Sequence, residues 1–166
     1  ITYMRTDSTA MAGIAMGEAR EVIGDRYGAP YTMAKGRVYK TRSKGAQEAH
    51  ESIRPTSFRR DPDSVASSIK PDELRLYRLI WQRALASQMA PKELETTTIE
   101  LADGRYELRA SATKVLFDGF SIVYTEGRDD AASDDEDEAG ARLPTLTEGS
   151  VTDVDDVTPT QHFTEP

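Results

Sequence analysis

The sequence predicts an α+β chain, with a helical part over residues 1–90 and a β-rich part over 91–166. Three observations predict it. Apolar residues recur at helical spacing before Pro91; alternating patterns around an Asp103-Gly104 turn follow it; and the charge changes sign between the two parts. Of the 166 residues, 37% are hydrophobic, enough for a modest core. Residues 1–90 hold 15 Lys and Arg against 10 Asp and Glu, whereas residues 91–166 hold 6 against 19. The net charge of -8 therefore conceals a basic first part suited to polyanions.

The opening segment, Ile1 to Thr9, alternates and then turns polar, which predicts a short strand running into a loop, with Ser8 or Thr9 available to cap the next helix. That helix is expected from Gly13 to Tyr27, with Ile14, Val22, Ile23 and Tyr27 recurring near a 3.6-residue period, and Gly28 and Pro30 stop it. Ala46 to Ile53 is rich in helix formers and ends at Arg54-Pro55, predicting a short helix. A longer one should start at Pro71 and reach Met89, with Leu74, Tyr77, Ile80, Trp81 and Ala84 on one face. Thr96 to Leu101 and Tyr106 to Ala112 then flank Asp103-Gly104 as a β-hairpin. Val115 to Tyr124 is expected to add one or two strands, and Ser150 to Val157 a last one. Between them, residues 125–140 are nearly all acidic or small and read as a disordered loop.

Several classes of chemistry are excluded. Without cysteine there is no disulfide, thiolate nucleophile or cysteine-ligated zinc, which fits a reducing cytoplasm. Apolar runs are only a few residues long, so no membrane span is expected. The start at Ile1 reads as a cut inside a longer polypeptide.

Two strings carry the chemistry: Ile1-Thr2-Tyr3-Met4-Arg5-Thr6-Asp7-Ser8 and Gln47-Glu48-Ala49-His50-Glu51-Ser52-Ile53-Arg54-Pro55-Thr56. A tyrosine oxygen can attack a phosphodiester and store its energy as a phosphotyrosine ester, but phenols ionise near pH 10 and so need help at neutral pH. Arg5, two residues on, shares a side with Tyr3 if the segment is extended and supplies a fixed cation. An isolated Tyr-x-Arg is ordinarily a half-buried aromatic beside a surface cation. Asp7 reads equally as a turn or cap residue, and His50 as a satisfied structural histidine.

Together the two strings resemble the active-site tyrosine segment and the Glu-Ala-His-Glu-x-Ile-Arg-Pro stretch of type IA DNA topoisomerases, in the same order and at similar spacing. Met4, where the topoisomerase III branch usually has proline, points to the bacterial topoisomerase I branch. Lys40 to Lys44, Leu74 to Trp81, Gln88-Met89 and Phe117 to Phe120 also resemble the family, as does the string around His162; the acidic loop, Ala10 and Ala12 depart from it.

The resemblance implies Tyr3 as nucleophile, Arg5 and His50 as phosphate-facing cations, and Asp7 as a partner of Arg5 or Tyr3. It implies attack on single-stranded DNA to give a 5′-phosphotyrosyl link, passage of another strand, and religation. Contacts to DNA are expected from Thr2, Lys40, Arg42, Lys44, Gln47 and Arg54, with Arg54 alternatively paired to an acidic residue. The stretch from Lys35 to Lys44, interleaved with Tyr31 and Tyr39, suits a strand backbone and its bases. Magnesium is implied in the whole enzyme, held by a separate N-terminal domain; no metal is expected on this chain, whose acidic run lacks a rigid ligand set. The fold implied is a catabolite-activator-like winged helix followed by part of a β-rich hinge. The remaining domains of the same polypeptide are the expected partners, in a monomeric, cytoplasmic, nucleoid-associated bacterial protein. The piece alone is expected to be inactive. A single-stranded DNA-binding module without catalysis is the alternative reading, whereas a tyrosine recombinase fits worse.

Overall fold

The computed structural model describes residues 1–4, 8–39, 51–125, 143–153 and 155–161. Helix α1 spans Gly13–Tyr27, α2 Pro62–Val65 and α3 Pro71–Ala86, and strands β1 (Glu93–Asp103) and β2 (Tyr106–Phe117) form a two-stranded sheet. The α+β expectation is therefore met. The chain forms two compact units: Ile1–Glu95 with Lys114–Asp134, and Thr96–Thr113 with Asp135–Pro166.

The core of the first unit is built around a loop residue, Phe58, which is fully buried between residues of α1 and α3. Its backbone amide donates to Glu18 Oε2 on α1 (2.8 Å), and its carbonyl accepts from the Trp81 indole Nε1 on α3 (2.9 Å). Ser57 Oγ donates to the other Glu18 oxygen (2.7 Å). Both polar groups of the Phe58 peptide are thus satisfied by the helices that its ring packs against. Ala15, Ala19, Val22 and Ile23 form the inner face of α1. Two of these are alanines, which lets Phe58 approach the helix closely. Val22 and Ile23 are buried and Tyr27 packs against the core, as expected, but Ile14, expected on the same face, is 91% exposed, and Ala15 takes its place at the start of the stripe.

α1 begins without the expected serine or threonine cap. Ala12 is its N-cap, while Ser8 Oγ accepts from the Ala10 amide (3.2 Å) in a local turn. The helix ends at Gly28, whose φ of 94° is accessible to glycine. α3 starts at Pro71 as expected, with the Glu73 carboxylate accepting from the Lys70 amide (3.0 Å), and it buries Trp81, Ala84 and Leu85. It stops at Ala86, short of Met89, because Met89 pairs with Thr32 in an isolated antiparallel bridge. Next to that bridge the Ala90 amide donates to Tyr31 O (2.9 Å), and the Phe120 amide donates to Ala90 O (3.0 Å).

The hairpin is longer than its sequence pattern. Val115 to Phe117 continue β2, and Gly119–Ile122 form a 3-10 turn, so Val115 to Tyr124 add no new strand. Gly119 has φ of 50°, and a Cβ there would clash with the Pro91 carbonyl, which excludes any other residue without backbone movement. The described residues of 1–9 and 150–157 are not in strands, because no neighbouring strand pairs with them; Val154 lies outside the described residues. Residues 51–53 are not helical, and 46–50 of the helix expected at Ala46 to Ile53 lie outside the described residues. So do residues 126–140 of the acidic loop. Among the described residues no helix is long and apolar enough to cross a membrane.

Asp61 caps α2, accepting from the Asp63 and Ser64 amides (2.9 and 3.0 Å), and pairs with Arg26 of α1 at 2.6 Å. Burial pushes its carboxyl up, but Arg26 and the two amides outweigh burial and hold it below its ordinary value of 3.8. A carboxyl depressed by folding stabilises the fold fully above its unfolded value, and that stability is lost as pH falls through the folded one. With Arg26 42% exposed, solvent screening limits the pair to about 1 kcal/mol or less. Asp61→Asn keeps a capping oxygen and loses the charge, so its unfolding midpoint is expected to depend less on pH below about 4 than that of the parent chain. For Gly119→Ala the expected loss is about 2 kcal/mol or more. Thermal denaturation would read this as a midpoint lower by roughly 4–8 °C. Gly104→Ala, at the open hairpin turn where a Cβ meets nothing within 4 Å, should lose less.

Candidate active site

Tyr3 is 79% exposed, and the residue before it holds it in place. The Thr2 amide donates to Arg54 O (2.9 Å), the Thr2 hydroxyl donates to Ser52 O (2.9 Å), and the same oxygen accepts the Arg54 amide (3.0 Å). Threonine suits this position because one hydroxyl can accept and donate at once. The tyrosine segment is thereby stitched to the segment carrying the second motif, across 50 residues of sequence.

Glu51 holds the second segment. Its Oε1 accepts from Arg54 Nε (2.7 Å) and its Oε2 from Arg54 Nη2 (2.9 Å), a two-point pair that fixes the guanidinium plane. The remaining Arg54 Nη1 donates to Pro55 O (2.8 Å), and only 11% of the Arg54 side chain is exposed. Glu51 Oε1 also accepts the Ala12 amide (2.7 Å), placing a carboxylate at the start of α1, where the helix dipole favours it. Burial raises the Glu51 carboxyl, but hydrogen bonds from Arg54 and Ala12 together with the Arg54 charge bring it below its ordinary value. The Ser52 amide donates to Ala10 O (2.7 Å) and closes the junction.

Of the site residues expected from sequence, Tyr3, Thr2 and Arg54 are brought together here. Thr2 spends its hydroxyl on Ser52 and Arg54, and Arg54 is the partner of an acidic residue, one of the two roles expected for it. Arg5, Asp7, Lys40, Arg42, Lys44, Gln47 and His50 lie outside the described residues. Of the basic stretch, residues 36–39 run past the end of α3. Gln88, which is buried, accepts the Arg37 amide (3.1 Å) and donates to Arg37 O (3.2 Å), and the Tyr39 hydroxyl donates to Ser87 O (3.0 Å). Tyr31 is turned elsewhere: its hydroxyl donates to Asp118 (2.8 Å), which raises its pKa, and its ring lies 4.9 Å from that of Phe117.

Sequence reasoning did not assign Glu51 or Ser52. The signal for Glu51 was its three-residue spacing from Arg54; for Ser52, whose contribution is a backbone carbonyl, residue type carried none. Ser52, with Tyr39, Ile53, Leu79, Ile80 and Arg83, lines a groove of about 730 Å³.

The whole chain, residues 1–166, matches the family model described as DNA topoisomerase. The DNA topoisomerase 1 of Xylella fastidiosa (strain 9a5c) is 46% identical over 167 residues, covering all of this chain and 20% of that protein. The DNA topoisomerase 1 of Zymomonas mobilis is 49% identical over 169 residues, again covering the whole chain but 14% of the relative. Full-length topoisomerase I from Thermotoga maritima superposes with a TM-score of 0.61 at 34% identity, covering 79% of this chain and 20% of that structure. The chain thus spans a fifth or less of the length of these relatives, and it belongs to the DNA topoisomerase family.

Proposed function

We propose that this chain is the nucleophile-bearing part of a bacterial type IA DNA topoisomerase. Tyr3 attacks a phosphodiester of single-stranded DNA: its oxygen bonds to phosphorus, the bond from phosphorus to the 3′-oxygen breaks, and the phenolic proton is delivered to that departing oxygen. The 5′ phosphate stays on Tyr3 while another strand passes. Attack by the 3′-hydroxyl reverses each step, so negative supercoils relax without ATP. The observation that carries this reading is the Thr2 junction, which ties the segment bearing an exposed tyrosine to the segment that carries the second family motif.

In this proposal Arg5 and His50 stabilise charge growing on the phosphate and Asp7 orients Arg5 or shares the proton, as the family resemblance implies. Arg54, already engaged by Glu51, positions the segment and presents any free edge to DNA. Lys40, Arg42, Lys44 and Gln47 contact the strand backbone, consistent with the positive excess of residues 1–90. Residues 1–90 are assigned to a catabolite-activator-like winged-helix domain and 91–166 to part of a β-rich hinge. Among the described residues no three acidic or histidine side chains group as metal ligands, so they do not fit a magnesium site. Magnesium is assigned to another domain of the polypeptide, which is proposed to act as a monomer in the bacterial cytoplasm on the nucleoid.

The alternative, a single-stranded DNA-binding module without catalysis, draws on the same basic excess. A labelled single-stranded oligonucleotide with magnesium separates the two. The chain alone is expected to form no covalent product on a denaturing gel. Together with the N-terminal domain of a relative it should form one, and Tyr3→Phe should abolish it. A product that persists in Tyr3→Phe would overturn the assignment, and binding with no product in any mixture would favour the module.

A further inference from the structure

We propose that the groove beside the Thr2 junction receives one unstacked nucleobase of the DNA strand. This inference rests on the single-stranded DNA reading above and names what the strand does next to Tyr3. The groove, of about 730 Å³, is large enough for a base with its sugar, and although half of its lining residues are polar, the surface it presents is mainly apolar, with Ile53, Leu79 and Ile80 contributing. Leu79 is 47% exposed, an apolar surface on α3 left open to a ligand.

Two flat side chains border the groove. Tyr39 is fixed by donation of its hydroxyl to Ser87 O (3.0 Å), and the Arg83 guanidinium lies 5.7 Å from the centre of the Tyr124 ring. Aromatic rings and guanidinium planes are the surfaces on which proteins stack single-stranded bases. Most polar groups along the lining are engaged within the protein: Ser8 Oγ with the Ala10 amide, Ser87 Oγ with Ala84 O, and the Gln88 amide with both backbone groups of Arg37. Ser52 Oγ is different. It is buried and has no hydrogen-bond partner among the described residues. Leaving a buried hydroxyl unpaired is unfavourable, and in this proposal the Ser52 side chain rotates toward the groove, where the polar edge of a base supplies the missing bond. Because a hydroxyl both donates and accepts, such a site holds a base without strongly choosing among bases.

Location gives the site its consequence. The carbonyl of the same Ser52 accepts the Thr2 hydroxyl at 2.9 Å, so the base site and the nucleophile segment share one residue. A base seated here would fix the register of the strand relative to Tyr3. A duplex could not supply that base without flipping it out, so the groove also favours single strands.

The test uses the 166-residue chain and single-stranded oligonucleotides carrying 2-aminopurine at one position at a time, with anisotropy of an end label reporting total binding. Stacking quenches 2-aminopurine, so one position is expected to be quenched on binding. Leu79→Arg, a change at a half-exposed site that the fold should tolerate, is expected to remove that quenching while anisotropy still reports salt-sensitive binding. Ser52→Ala should weaken the quenched state about three- to tenfold. Retained anisotropy with no quenched position, or quenching that survives Leu79→Arg, would overturn the base site and leave the DNA-strand reading intact. No binding by either signal would overturn both.

Discussion

The Glu51 carboxylate is the group on which the candidate site depends. Its two oxygens take three hydrogen bonds, from the Ala12 amide at the start of α1 and from Nε and Nη2 of Arg54. Each bond is charge-assisted, and they are short because a partly buried carboxylate must be compensated fully. Once Arg54 is held, its backbone is held as well, and Thr2 bonds to that backbone through both its amide and its hydroxyl. Tyr3 therefore follows a residue that these bonds hold, and it is 79% exposed. That arrangement suits the nucleophile role proposed for Tyr3, in which a long polymer would have to reach the phenolic oxygen without displacing the support.

The scaffold beneath solves a related problem. α1 and α3 are joined by a long connection, and Phe58 in that connection fills the space between their buried faces. Burying a loop is costly unless its peptide groups are paired, and Glu18 and Trp81 pair them. Pro55, also fully buried, continues the same layer directly after Arg54. The apolar core and the polar junction are thus successive stretches of one segment, residues 51–58, so the site is held by the core without belonging to it.

Helix α1 was legible to its ends, since Gly13–Tyr27 follows from apolar spacing and Gly28, and the start of α3 followed from Pro71. Asp103-Gly104 located the hairpin, although Asp103 ends β1 and the two turn residues are Gly104 and Arg105. What sequence missed depended on partners distant in the chain. A strand at residues 1–4 was a reasonable reading of alternation, but the segment bonds to a loop that no local pattern could supply. Ile14 is apolar and yet exposed, because the buried face of α1 opens with the small residues Ala15 and Ala19, which share a cluster with Phe58. Tyr3 and Arg54 were named from motif resemblance, yet the role of Thr2 as the stitch, and of Glu51 as its anchor, needed coordinates, because both act by hydrogen bonds whose geometry residue type does not encode.

The most direct measurement is amide hydrogen exchange at Thr2, Ser52 and Arg54 in the chain and in Thr2→Val, which keeps the shape of the side chain and removes its hydroxyl. The account predicts that all three amides are protected in the parent chain. In Thr2→Val the Arg54 amide, which donates to the lost oxygen, should exchange much faster, while the Ser52 amide, bonded to Ala10 O, stays slow. An Arg54 amide that exchanges freely in the parent chain, or equally slowly in both, would contradict a tyrosine segment held by Thr2.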